Sequence, residues 1–114
     1  MENRRKLKRQ YLIYTLRLMD LRNNQVFGNL INITTEGCMV ISREPFEINK
    51  KYGMKIVLPG ELQGKKEVRF EGQAIWNNPD INPEYHAAGF QFVEMSKQDK
   101  SIIEELITQY GFEE

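Results

Sequence analysis

Arg5 and Arg9 are separated by three residues inside the run Arg4-Arg5-Lys6-Leu7-Lys8-Arg9, in which all but Leu7 are cationic. Only Glu2 opposes them among the first ten residues, although the whole chain carries 16 basic and 16 acidic side chains and is formally neutral. Charge gathered in this way marks a stretch that meets an anion. A pair of arginines does something narrower, because each guanidinium is a planar fork that takes phosphate oxygens, or the O6/N7 edge of guanine, through two hydrogen bonds. Taken alone, the run is the solvated, unspecific basic tail that such hexamers usually are.

A second polar group follows at Asn32-Ile33-Thr34-Thr35-Glu36-Gly37. Asn and Thr side chains bond nearby backbone in turns, and Gly37 can take a positive φ or admit a ligand close to the main chain. By itself this is a tight turn. Other candidates for chemistry are poorer. His86 and Cys38 are the single members of their types, so a His/Cys metal cluster is excluded. A Cys–His nucleophile pair would need Cys38 exposed beside His86 with an orienting partner, and the sequence supplies none. Cys38 reads as a small packed residue and His86 as a surface or partly packed one. The alternate spacing of Trp76 and the phenylalanines assigns them to the core. No carboxylates pair at a strand or helix period, so the chain is expected to bind rather than catalyse, without a cofactor.

The elements that position these residues follow from hydrophobic period. Leu12, Tyr14, Leu16 and Leu18 alternate with Ile13, Thr15, Arg17 and Met19, which predicts a strand over 11–21. A polar turn at 22–25 and a second alternating run over 26–32 predict an antiparallel hairpin. A third strand is expected over 38–42. A fourth over 54–58 is broken by Pro59-Gly60, and Gln63-Gly64-Lys65-Lys66 is the next turn. Val68, Phe70, Gly72, Ala74 and Trp76 form the cleanest period-two run, and 85–93, containing Gly89, is the sixth strand. The period then changes: Ser96 and Asp99 resemble a capping pattern, Ile102, Ile103, Leu106, Ile107 and Tyr110 recur at helical spacing, and Gly111 supplies a stop. The fold class is therefore all-β with a C-terminal helix over about 96–110, a six-stranded antiparallel β-barrel that closes its own edges.

With 114 residues, 40% of them hydrophobic and 28% charged, the chain is of ordinary globular composition and one domain in size. We expect a flexible basic arm over 1–10 that carries RxxxR, and a single domain over 11–114. No apolar run approaches a membrane span and no signal peptide is evident, which places the chain in the cytoplasm without membrane insertion. Net neutrality argues against a domain that coats nucleic acid.

Read together, Arg5-x-x-x-Arg9, one hairpin, and Asn32-x-Thr34-x-x-Gly37 resemble the paired RxxxR and (D/N)xSxxG motifs of the PilZ family, bacterial domains that bind the second messenger cyclic di-GMP. The strand count, the Trp76 strand, the Gly89-Phe90 strand and the terminal helix also resemble that family's split-barrel type of fold. The resemblance implies a cyclic di-GMP receptor or adaptor. In it Arg5 and Arg9 take phosphate oxygens and guanine edges, Arg4 or Arg9 stacks on a base, and Asn32 bonds a guanine edge. Thr34 bonds a phosphate or base, Gly37 leaves space, and Gly89 lines the same surface. Arg4, preceding the first motif arginine, bears on whether one ligand or a stacked pair is bound. One departure is Thr34, where the family pattern has serine: the hydroxyl is kept, but its bond needs room for an extra methyl. The implied partner is a downstream protein in motility, exopolysaccharide or virulence control, and monomer and dimer both stay open. Two other readings stand beside this one: a barrel that has lost nucleotide binding and serves as a protein-interaction adaptor, or a small barrel that binds single-stranded nucleic acid through its basic arm and aromatic residues.

Overall fold

The computed structural model describes the backbone of residues 10–113 and the side chains of residues 16–110. Along the chain come β1 (Gln10–Asp20), β2 (Val26–Ile33), β3 (Gly37–Ser42), β4 (Lys51–Leu62), β5 (Lys65–Pro79), β6 (His86–Glu94), α1 (Lys97–Tyr110) and β7 (Gly111–Glu113). Every ladder is antiparallel. Starting from β1, the pairings run to β2, β3, β6, β5 and β4, and β4 returns to β1, so six strands close into a barrel. Closure gives each of these strands two neighbours, which satisfies backbone polar groups that an open sheet would leave at its edges.

Alternation along the strands fills the interior. Leu16 and Leu18 of β1, Cys38 and Val40 of β3, Met54 and Ile56 of β4, Val68 and Phe70 of β5, and Ala88 and Phe90 of β6 are all buried. The expected helix closes the end where β4 passes into β5, burying Ile102, Ile103 and Leu106. Its first turn is fixed as the sequence suggests: Ser96 Oγ accepts from the Asp99 N–H at 3.0 Å. The Asp99 carboxylate turns toward the barrel, accepting from Lys65 Nζ at 2.7 Å and from the Arg69 N–H at 3.2 Å. A buried carboxylate held by a cation and a backbone donor sets the seat of the helix as well as its start. At the opposite end Phe46 is the plug, meeting Phe27, Tyr52 and Phe90 edge-on at 5.4, 5.4 and 4.8 Å.

Several boundaries differ from the sequence reading. The β4–β5 turn is only Gln63-Gly64, with φ of 51° and 79°, and Lys65 already pairs with Leu62. Two successive positive φ values suit the right-handed twist of the strands they join. Pro59-Gly60 does not end β4: the ladder to β5 loses register between Val57 and Leu62, and such an irregularity accommodates a residue without an N–H. Gly111 ends α1, and the chain then adds β7 to β1, with Gly111 opposite Leu12.

Trp76 is the main correction. It is not in the core. Ala74 faces Phe90 and Trp76 faces Gly89, so two residues of β5, Ile75 and Trp76, occupy one step of β6. This bulge shifts the alternation by one residue and turns Trp76 to the outer face, beside Ile75, which is 49% exposed.

Candidate functional site

The turn between β2 and β3 is closed by one hydroxyl. Thr34 Oγ1 accepts from the Glu36 N–H at 3.1 Å and the Gly37 N–H at 3.3 Å, while the Thr34 N–H donates to the Gly37 carbonyl at 2.9 Å. The Glu36 carbonyl accepts from the Phe92 N–H at 2.8 Å, which ties the turn to β6. Threonine performs this work as serine would, and its O–H proton remains to donate.

Asn32 is oriented by a second bulge. Leu30 faces Val40 and Asn32 faces Met39, so Ile31 is the extra residue, and Ile33 returns to the core opposite Cys38. The shift aims Asn32 at the outer face, where it is nonetheless only 4% exposed. Its Nδ2 has no hydrogen-bond partner among the described residues. A buried donor left without an acceptor costs about 1–3 kcal/mol.

Two glycines shape the surroundings. A Cβ on Gly37 would overlap the carbonyl oxygen of Phe90, and one on Gly89 would overlap the Trp76 indole. The sequence reading gave Gly37 to the ligand as free space. In the structure that space is filled by the backbone of β6, so Gly37 is needed for β3 and β6 to pair. Gly89 lies beneath Trp76 and lets the ring lie flat on the strand. Around these residues is a shallow pocket of about 150 Å³, lined by Asn32, Thr34, Met39, Ile75, Trp76 and Gly89, among others. Asn32, Thr34, Gly37 and Gly89 are thus brought together from three strands and one turn. Arg4, Arg5 and Arg9 lie outside the described residues. The first described residue, Gln10, pairs with Ile33, and Tyr11 pairs with Asn32, so the chain enters β1 alongside the motif turn.

Trp76, Met39 and Ile75 are pocket residues that sequence reasoning missed. The placement of Trp76 depends on the bulge, of which the even alternation of β5 gives no signal, whereas Met39 and Ile75 stand on the outer face that alternation assigns them. Cys38 lies under the pocket, and burial pushes its thiol up to about 12, so it carries no thiolate near neutrality. Cys38 faces Phe90, whereas His86 faces Ser42, four residues back along β6 and roughly 13 Å away, so the two cannot act as a pair. Among the described residues no group of three or more His, Cys, Asp or Glu side chains could hold a metal ion. Nor is any described helix long and apolar enough to cross a membrane.

The fold and the site define a class of small domain: a closed antiparallel β-barrel with a terminal helix, carrying a polar turn beside its first strand. The chain matches the family model of the PilZ domain over residues 3–109 and belongs to that family. Among solved structures it is similar to the Bacillus subtilis inhibitor of motility MotI/DgrA, with TM-score 0.73 and 16% identity, over 95% of this chain and 51% of that one. It is similar to the PilZ domain of YcgR from Escherichia coli with c-di-GMP, with TM-score 0.67 and 14% identity, over 95% and 92%. Its similarity to MrkH of K. pneumonia in its apo state has TM-score 0.69 and 14% identity, over 96% and 52%. The chain therefore spans about half the length of MotI/DgrA and of MrkH. At these identities the likeness is one of fold. Among curated proteins nothing matches the chain.

Proposed function

We propose that this PilZ domain is a receptor for cyclic di-GMP that works by ligand-induced ordering rather than catalysis. The observation that carries the reading is the buried amide of Asn32, with an unpartnered Nδ2, in the lining of a pocket that also offers the Trp76 indole and the Thr34 hydroxyl. A guanine supplies acceptors on its O6/N7 edge and a flat face for stacking. The described lining of the pocket is uncharged, so the ligand's two phosphates call for cations from elsewhere. Arg5 and Arg9 supply them, reaching over from the residues that lead into Gln10, with Arg4 stacking on a base. Size supports the same division. About 150 Å³ holds a fragment of a dinucleotide, whereas sites for ligands of that class take roughly 300–1,000 Å³, so residues 1–10 act as the second wall. Ordering that arm costs conformational entropy and gives the partner protein a changed surface to read.

Calorimetric titration with cyclic di-GMP tests this. Saturable binding that excess GMP does not displace is expected. Arg5→Ala and Arg9→Ala should each weaken it by about 1–3 kcal/mol, or one to two decades in Kd. Asn32→Leu should weaken binding comparably while leaving stability equal or raised, because it removes an unsatisfied donor. Unchanged affinity in all three variants refutes the clamp; tighter, steeply salt-dependent binding to oligonucleotides would instead identify a single-strand binder.

A further inference from the structure

At the barrel end opposite α1, the connections 21–25, 43–50 and 80–85 surround a second pocket of about 650 Å³, over four times the volume of the one beneath Trp76. One wall is aromatic: Phe27, Phe46 and Tyr52 meet edge to face with centroids 5.4–5.7 Å apart. Gly28 lines another wall without a side chain, and a Cβ there would overlap the Ile41 carbonyl oxygen. Tyr85 stands in the lining, and the Arg43 guanidinium lies 5.5 Å over its ring.

Charge gives the pocket a polarity. Asp20 is buried in the lining, but its carboxylate is already taken by Arg22, through the N–H at 2.8 Å and Nη2 at 2.9 Å. Glu44 also lines the pocket, is exposed and forms no ion pair with Arg43. Arg22, Lys55, Lys65 and Arg69 each have a carboxylate partner; Arg43 has none among the described residues. The cation–π contact with Tyr85 uses none of the guanidinium N–H groups, so the fork that binds a carboxylate remains free for a ligand. The volume and the aromatic wall are those of a small-molecule site, and the polar side chains of the lining are there to orient what enters it. We infer that this pocket is a second binding site, distinct from the Asn32 pocket, for a small ligand with a flat aromatic body and one carboxylate, held by stacking against the aromatic wall and by Arg43.

The probe is 2-naphthoate, titrated into the full chain and followed by ¹H–¹⁵N amide spectra. Saturable shifts are expected at Gly28, Arg43, Phe46 and Tyr85, with the Asn32–Gly37 amides unmoved. Arg43→Gln changes an exposed residue and should leave the melting temperature in place while raising Kd about tenfold or more. The neutral analogue 2-naphthylmethanol should bind wild type and Arg43→Gln equally weakly. Absence of saturable shifts, shifts centred elsewhere, or a variant that binds 2-naphthoate as well as wild type does each overturns the assignment.

Discussion

Replacing Gly89 by alanine tests the contact that builds the candidate site. The added Cβ would stand 2.5 Å from Cε2 and 2.9 Å from Cδ1 of the Trp76 indole, whereas carbon contacts settle at about 3.5–4.0 Å. Something must move by about 1 Å. The backbone beneath is held in ladders on both sides of β6, while Trp76 is half-buried on the outer face, so the ring gives way. An indole buries on the order of 150–250 Å² in total; re-exposing about 100 Å² at roughly 25 cal/mol per Å² sets an upper bound of about 2.5 kcal/mol. A strained rotamer that keeps contact costs at least about 0.5–1.5 kcal/mol. The variant should therefore lose about 1–2 kcal/mol, read from the midpoint of guanidinium unfolding. Trp76 is the only tryptophan, so its emission reports the ring directly and should shift to longer wavelength. In a Trp76→Ala background the same Gly89→Ala change should cost nothing, because the overlap is gone. Unchanged emission with an unchanged midpoint, or an equal cost with and without the indole, refutes the reasoning.

Two further outcomes follow from local geometry. Thr34→Val keeps the shape but removes the acceptor of two backbone N–H groups, and should cost about 1–3 kcal/mol, since each is worth roughly 0.5–1.5 kcal/mol. Thr34→Ser should cost under about 0.5 kcal/mol, and thermal melts that put Ser beside Val would show that the methyl, not the hydroxyl, holds the turn. The hydrogen bonds of Arg22, first from its side chain and then from its backbone N–H, and last its charge, hold the Asp20 carboxyl below its ordinary value near 3.8, against the opposing effect of burial. Its contribution is thus fully present above that value. It is lost as pH falls further, because the unfolded chain binds the proton first. The stability gap between wild type and Arg22→Gln should be widest above about pH 4 and shrink toward pH 2; a gap that stays constant through acid titration would exclude the pair as its source.

The barrel was legible because its strands obey a simple period. Leu16 and Leu18, Met54 and Ile56, and Val68 and Phe70 are buried where alternation assigns them, and Ile102, Ile103 and Leu106 where the helical period does. By motif, Asn32, Thr34, Gly37 and Gly89 were expected on one surface, and in the structure they line one pocket. The orientation of the site was not legible. At Ile31 and Ile75 an extra residue shifts the phase, and a bulge is a property of two strands together, set by whether the partner supplies one residue or two. Alternation within β5 therefore sent Trp76 to the wrong face. Likewise β7 and the continuation of β4 through Pro59 are decided by neighbours distant in sequence.

The geometry divides the motif by role. Thr34 closes a turn and Gly37 admits the Phe90 carbonyl; both are needed to build this barrel whether or not anything binds to it. A PilZ-like adaptor without a ligand would keep them for the same reason, so their presence does not separate receptor from adaptor. Asn32 does. Its amide is buried, its Nδ2 lacks a partner among the described residues, and the barrel would be no less stable with a similarly sized apolar side chain there. In the proposed receptor that cost is recovered when a ligand accepts from Nδ2. The arginines follow the same logic from the other direction, since a dense run of like charge repels itself until an anion neutralises it. Asn32 and the arginines are thus the features the proposal assigns to the ligand, and in sequence the arginines come just before Gln10 and Tyr11, which pair with Ile33 and Asn32.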